Sequence, residues 1–301
     1  MAALDEVRTE IDRVDGEIRK LFVERMALAD RVAQIKAENG DVIFKPDREA
    51  AMIEKQCAGM DGALVMEYRA FLKRMIAVSR KYQYRRMLEL RGGFPYEYDR
   101  EEPACRNVVS LNRERSICGF ASADEEIALL GLPAETLRER VDSYREMGRR
   151  ILEGKADAGI GILEEIGCGV SDGMNALLVR CGLYIYKCEV RQTGDVRQKV
   201  VLFGKGLVVR PEHNRVKLAF VCPNTSGSLA NVLSMIADHG INLTEIHSVP
   251  FREEEGWNYR FFVEMGANLE EKNAQALICQ LYRETGDLQL LGSYYCKGDF
   301  E

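Results

Sequence analysis

The sequence predicts a multidomain protein: an all-α three-helix domain, then a reduced α/β domain, then an α+β domain of ferredoxin-like order. Three observations carry this. Residues 1–90 repeat apolar side chains at helical spacing without an internal Gly-Pro break. From Asn107 strand-like and helix-like segments alternate, the mark of an α/β layer. From Val216 the order reads β-α-β-β-α-β. A length of 301 residues fits two or three domains. The boundaries fall at 1–90, a linker at 91–104, then 105–210 and 211–301.

In the first helix, 3–38, the apolar side chains are Leu4, Val7, Ile11, Val14, Ile18, Leu21, Phe22, Met26, Leu28, Ala29, Val32 and Ile35. Such a helix is about 50 Å long at 1.5 Å per residue. That is too long to be buried within one small monomer, so a partner helix, and hence a homodimer or higher homo-oligomer, is expected. Asn39-Gly40-Asp41 is a stop signal, and Pro46 suits the first turn of a second helix, 46–58. A third helix, 63–90, carries Leu64, Tyr68, Phe71, Leu72, Met75, Ile76 and Tyr82. The turn-rich, charged run from Arg91 to Pro103 reads as a linker. Beyond it come a strand at 107–111, helical segments at 124–130 and 134–154, a strand at 158–163, a helix at 171–181, and strands at 183–192 and 198–204. The last module has strands at 216–222, 241–250, 257–265 and 288–295 and helices at 226–239 and 270–285. His213 and His239 read as ordinary surface positions, and Trp257 as packing at a strand edge.

Composition excludes several classes. A net charge of −6 and a pI near 5.4 lack the basic footprint of a nucleic-acid binder. No apolar run approaches 18 residues, so no membrane span is expected. The acidic, amphipathic start MAALDEVRTEIDR has no apolar signal core. Nine cysteines without a C-x-x-C pair fit reduced thiols in a cytoplasm. The three histidines all lie in the last third, which removes a His-based triad or metal site from the first two thirds.

The N-terminal helices carry a charged face. Arg25 and Lys36 are 11 residues apart and differ by about 20° around the helix. Arg8 lies 17 residues before Arg25 and about 100° round, so it cannot serve that site from the same face, whereas across an antiparallel or crossed dimer it could reach the partner's site. Ser79 and Gln83 are i, i+4 neighbours, and Arg48-Glu49 opens the second helix. Spacing alone reads these as a solvated surface. The segments VRTEID at 7–12, LFVERMALADRVAQIK at 21–36, PDREAAMI at 46–53 and SRKYQ at 79–83 resemble the all-helical AroQ-class chorismate mutases across residues 1–90. The resemblance implies a chorismate-binding set of Arg8 (across the dimer), Arg25, Arg48 and Ser79, with Lys36, Gln83 and Glu49 catalytic. Lys45 departs from it, standing where relatives often carry aspartate.

That chemistry, chorismate to prephenate, is a unimolecular [3,3] rearrangement and needs no nucleophile, metal or organic cofactor. Arginine forks suit the two carboxylates of the substrate. Lys36 and Gln83 would donate to the breaking ether oxygen, where negative charge develops, and Glu49 would accept from the ring hydroxyl.

Residues 156–190 resemble part of a prephenate dehydratase domain, the domain that follows the mutase in bifunctional P-proteins. The catalytic signatures are altered: Ile162-Leu163-Glu164-Glu165-Ile166 stands where the family has Pro-Ile-Glu-Asn-Ser/Thr, and Arg197-Gln198-Lys199 where it has Thr-Arg-Phe. The piece is too short for two lobes, so a silent, structural role is expected, with Glu164 a solvated turn residue. Ser226–Pro250 and the closing LGSYY at 291–295 resemble ACT regulatory domains. The resemblance implies an aromatic amino acid effector near Gly227, Ser228, Leu229, Asn242, Leu243 and His247. Histidine and valine replace glutamate and arginine of the family's ESRP motif, so a ligand-free dimerisation module stays open. The reading as a whole is a chorismate mutase of aromatic amino acid biosynthesis. Its alternatives are a working mutase–dehydratase and a catalytically silent amino acid sensor.

Overall fold

The computed structural model describes residues 2–112, 123–253 and 256–297. The chain forms two compact units, Met1–Phe94 and Pro95–Glu301. Among the described residues, no helix is long and apolar enough to cross a membrane.

The first unit is helical throughout: α1 (Ala2–Asn39), α2 (Pro46–Cys57) and α3 (Val65–Arg91). The C-terminal half of α1 packs on α3 through small side chains at helical spacing, Ala29, Ala33 and Ala37, all buried. Small residues let the two backbones approach, and polar clasps fix the register: Arg86 Nε donates to Asp30 at 2.6 Å and Tyr82 Oη at 3.1 Å. Pro46 begins α2 where its missing N–H costs nothing. Ile53 and Cys57 of α2 bury against Leu72 and Ile76 of α3. A second face, running the length of α1, has no such cover. Leu4, Val7, Ile11, Val14, Ile18, Leu21, Leu28, Val32 and Ile35 are all exposed. They recur at alternating steps of three and four residues, with Arg25 holding the one charged place in the row.

The second unit runs β1 (Tyr98–Asp99), β2 (Asn107–Leu111), α4 (Ala123–Leu129), β3 (Leu137–Val141), α5 (Tyr144–Leu152), β4 (Ala158–Ile166), β5 (Gly169–Val170) and α6 (Asp172–Cys181). It continues β6 (Tyr184–Thr193), β7 (Val196–Gly204), β8 (Leu207–Val208), β9 (Arg215–Cys222), α7 (Ser228–Asp238), β10 (Asn242–Glu253), β11 (Gly256–Gly266), α8 (Lys272–Glu284) and β12 (Gly286–Tyr294). One sheet in the order β10-β11-β9-β12-β6-β7-β4-β2-β3 joins the stretches expected as separate domains, with β5 beside β4. The seam is the parallel pair β12–β6, registered at Gly292 and Ile185. Helices α5 and α6 bury Met147, Ile151, Met174 and Leu177 with Ala219, Phe262 and Leu291 of the ferredoxin-like strands, so a single core crosses the seam.

The expected helix over 134–154 is two elements. Leu137–Val141 pairs in parallel with β2 along its whole length, and Ser143 then caps α5 by accepting from the Glu146 N–H. The charged sequence LRERV has helix-like composition, and pairing at the sheet edge overrides it. His213 and His239 are buried, not surface positions. His213 Nδ1 lies 3.2 Å from Ser293 Oγ, and His239 Nε2 lies 3.1 Å from the Gln280 amide oxygen. Trp257 sits on β11 and is largely exposed rather than packed.

Candidate active site

The first unit forms an open pocket of about 240 Å³ among its three helices. Arg25, Lys36, Arg48, Glu49, Ser79 and Gln83 all line it, with Leu28, Val32, Ile43 and Ile76 as apolar walls. Residues up to 58 positions apart in the chain therefore meet because α1 and α3 pack through alanines and α2 folds back over them. Arg8 is the exception. It is exposed on α1, paired with Asp5 at 3.1 Å, and about 25 Å along the helix from Arg25.

Several of the polar groups are held by neighbours. Arg25 donates to Ser79 Oγ, and the buried Ser79 hydroxyl donates to the Met75 carbonyl at 3.0 Å. Lys36 is buried, and its ammonium gives one hydrogen to the Ile43 carbonyl at 2.7 Å. An ammonium has three donors, so others remain for the cavity. Burial, with the nearby Lys45 and Arg48 charges, pulls the Lys36 pKa below its ordinary value, and burial does the same to Arg25. Burial pushes the Glu49 carboxyl up, against the pull of Arg80 and Lys36. The side-chain amide oxygen of Gln83 is buried with no hydrogen-bond partner. The site is thus a small, strongly cationic chamber with one carboxylate, suited to a compact dianion carrying a hydroxyl.

Two further lining residues complete the ring. Lys45 is half-buried, 3.8 Å from Asp41. Arg80 of α3 forms an ion pair with Glu49 and was not anticipated from the sequence. It follows Ser79 directly and stands i, i+3 from Gln83, so helical spacing alone would have put it on this face.

In the second unit Glu164 is a strand residue, not a solvated turn. It pairs with Lys199 at 3.0 Å, and the same ammonium lies 3.3 Å from the fully buried Glu264. Glu264 also accepts from Tyr294 Oη at 2.6 Å and Thr244 Oγ1 at 3.0 Å. Lys199, one of the residues standing where the dehydratase pattern has Thr-Arg-Phe, is therefore committed to an internal charge network. Gly227 caps α7 at a φ of 86°, next to a 2.6 Å Thr225–Ser228 hydroxyl contact, with Leu229 in the first turn. Asn242 and Leu243 start β10 at the other end of α7, about 16 Å of helix rise away. His247 is farther along β10, its Nε2 2.7 Å from Asp172 and its ring stacked on Phe262. A single chain does not gather these six.

Residues 7–84 match the family model of chorismate mutase type II, and residues 216–281 that of the ACT domain. A bifunctional chorismate mutase/prephenate dehydratase of Aquifex aeolicus is 25% identical over 359 residues, covering 98% of each chain. That alignment is longer than this chain, so it closes only with gaps opposite it. The fold of the second unit resembles that of a prephenate dehydratase from Streptococcus mutans, with a TM-score of 0.52, 19% identity, and coverage of 63% of this chain and 98% of the other. A prephenate dehydratase from Arthrobacter aurescens, solved in complex with L-Phe, gives a TM-score of 0.51 at 15% identity, covering 62% and 89%. The chain thus carries a type II chorismate mutase domain, a prephenate dehydratase-like α/β region and an ACT domain.

Proposed function

We propose that the protein converts chorismate to prephenate in the cavity of its helical unit. The supporting observation is the convergence of Arg25, Lys36, Arg48, Glu49, Ser79 and Gln83 on one chamber. Arg25, steadied by Ser79, and Arg48 bind the carboxylates. Lys36 and Gln83 donate to the ether oxygen as its bond to the ring breaks and charge accumulates there. Glu49 accepts from the ring hydroxyl. Because the donors are fixed before reaction, they favour the compact transition state over the extended ground state. The site is completed by a second copy. The exposed apolar row of α1 supplies the contact, and the partner supplies Arg8, too far along its own helix to serve its own site.

In the same reading the dehydratase-like region is structural, since Lys199 ties up Glu164. The ACT domain binds an aromatic amino acid where two copies bring the Gly227 turn of one to Asn242 of the other. The setting is cytoplasmic aromatic amino acid biosynthesis. A second reading, a working mutase–dehydratase, is favoured by the end-to-end alignment with the bifunctional relative.

Incubation with chorismate, with products separated without acid, tests both. Persistent prephenate is the expected result. Phenylpyruvate would establish the bifunctional reading, and unchanged chorismate would leave an amino acid sensor.

A further inference from the structure

Among the cations around the cavity, Arg80 stands apart because its partner is the one carboxylate of the site. Its guanidinium pairs with Glu49 of α2 and lies over the Phe44 ring, 4.8 Å from the centroid, on the segment between α1 and α2. Both members of the pair are largely shielded, with side-chain exposures of 14% and 21%. A charge pair removed from water in this way is costly to break from one side, because the remaining charge is left buried. The Phe44 face restricts the guanidinium further, since a cation over an aromatic ring is held by the ring's electron density.

We propose that Arg80 is a positioning residue of the mutase site: as the fixed counter-ion of Glu49, it keeps that carboxylate charged and aimed for the substrate hydroxyl, and acts on the reaction only through it. The proposal rests on the chorismate mutase reading. It follows from what surrounds Glu49. Facing it are Lys36 from α1, Lys45 from the preceding segment, Arg48 from its own helix and Arg80 from α3, while Asp41 acts on Lys36. Of these cations, Arg80 alone makes an ion pair with it among the described residues. Lys36 is bonded to the Ile43 carbonyl instead. Burial opposes the charge on Glu49, and Arg80 is the largest influence opposing burial. Without Arg80, Glu49 would take a proton at higher pH and lose its fixed direction.

The test is kinetic. Wild type, R80Q, R80K, E49Q and the double variant R80Q/E49Q are compared by kcat/KM for chorismate across pH 4.5–9, with a thermal melt of each as a folding control. If Glu49 must be ionised, activity falls on the acid side as it protonates. R80Q should lower kcat/KM at least tenfold at pH 7 and move that acid limb to higher pH by a unit or more. R80K should restore part of the activity with the limb near its wild-type place. The double variant should be no worse than E49Q. An R80Q variant that is folded and impaired with an unmoved acid limb, or a double variant showing the product of the two single losses, overturns the proposal and makes Arg80 a substrate ligand. Should R80Q not fold, an R80K limb moved as far as expected for charge loss overturns it as well. A wild type that leaves chorismate unchanged would refute the parent reading, a different outcome from an active enzyme whose limb does not move.

Discussion

Replacing Gly292 by alanine should destabilise the second unit at its seam. Gly292 sits where β12 meets β6, with a φ of 152° that side chains rarely adopt. A Cβ there would stand 2.7 Å from the Ile185 carbonyl oxygen and 2.8 Å from its amide nitrogen. These are backbone atoms, which cannot rotate aside. Overpacking of this kind costs roughly 1–3 kcal/mol, and the backbone strain adds about 1–3 kcal/mol. Gly206 provides the control: its φ is also positive, at 80°, but nothing lies within 4 Å of its would-be Cβ, so G206A carries strain alone. Urea unfolding of the full chain, followed by near-UV circular dichroism, should show G292A losing about 1–3 kcal/mol more than G206A, read as a shift in midpoint at unchanged slope. Equal losses in the two variants would refute the reasoning, because the steric part would then be absent.

Three further outcomes are expected. Gln83→Ala should lower kcat for prephenate formation by roughly 10²–10³ with little change in melting temperature; unchanged turnover would remove Gln83 from its role. Burial lowers the pKa of His213 to about 4, below the 6.5 of an unfolded chain. The unfolded state therefore binds more protons between these values, and stability falls as pH drops from about 6.5 to about 4, by about 3 kcal/mol in total. In pH-dependent melts His213→Asn should lack this component, and a variant with the wild-type slope would rule it out. Lys45→Asp should change kcat/KM less than tenfold, since Lys45 is half-exposed and its 3.8 Å neighbour is a surface aspartate; a larger change, in either direction, would place Lys45 among the groups that hold substrate.

What was legible in the sequence divides along physical lines. Helical periodicity exposed α1, α2 and α3, because a 3.6-residue repeat is local information. The convergence of Arg25, Glu49 and Gln83 is not local, and periodicity alone read them as a solvated face. The separated segments matching a known family gathered them, and the structure brings them to one cavity. Arg80 escaped because its role depends on Glu49, on another helix. The strand Leu137–Val141 was hidden because only pairing with β2 makes LRERV extended. The burial of His213 and His239 was hidden for a related reason: one nitrogen of each ring pairs with a distant residue, Ser293 or Gln280, that no local pattern reveals. Domain counting separated residues 105–210 from 211–301, whereas the β6–β12 pair places both in one sheet.

The uncovered row along α1 has a consequence for how such a catalyst is measured. If each site borrows Arg8 from a second chain, the working species is a pair, and mass action governs it. Below the dissociation constant, the number of complete sites falls as the square of total protein. The rate per milligram then ceases to be a constant of the molecule. A dilution series at saturating substrate would bend, and the concentration at the bend would measure how strongly two solvent-facing helices prefer each other to water.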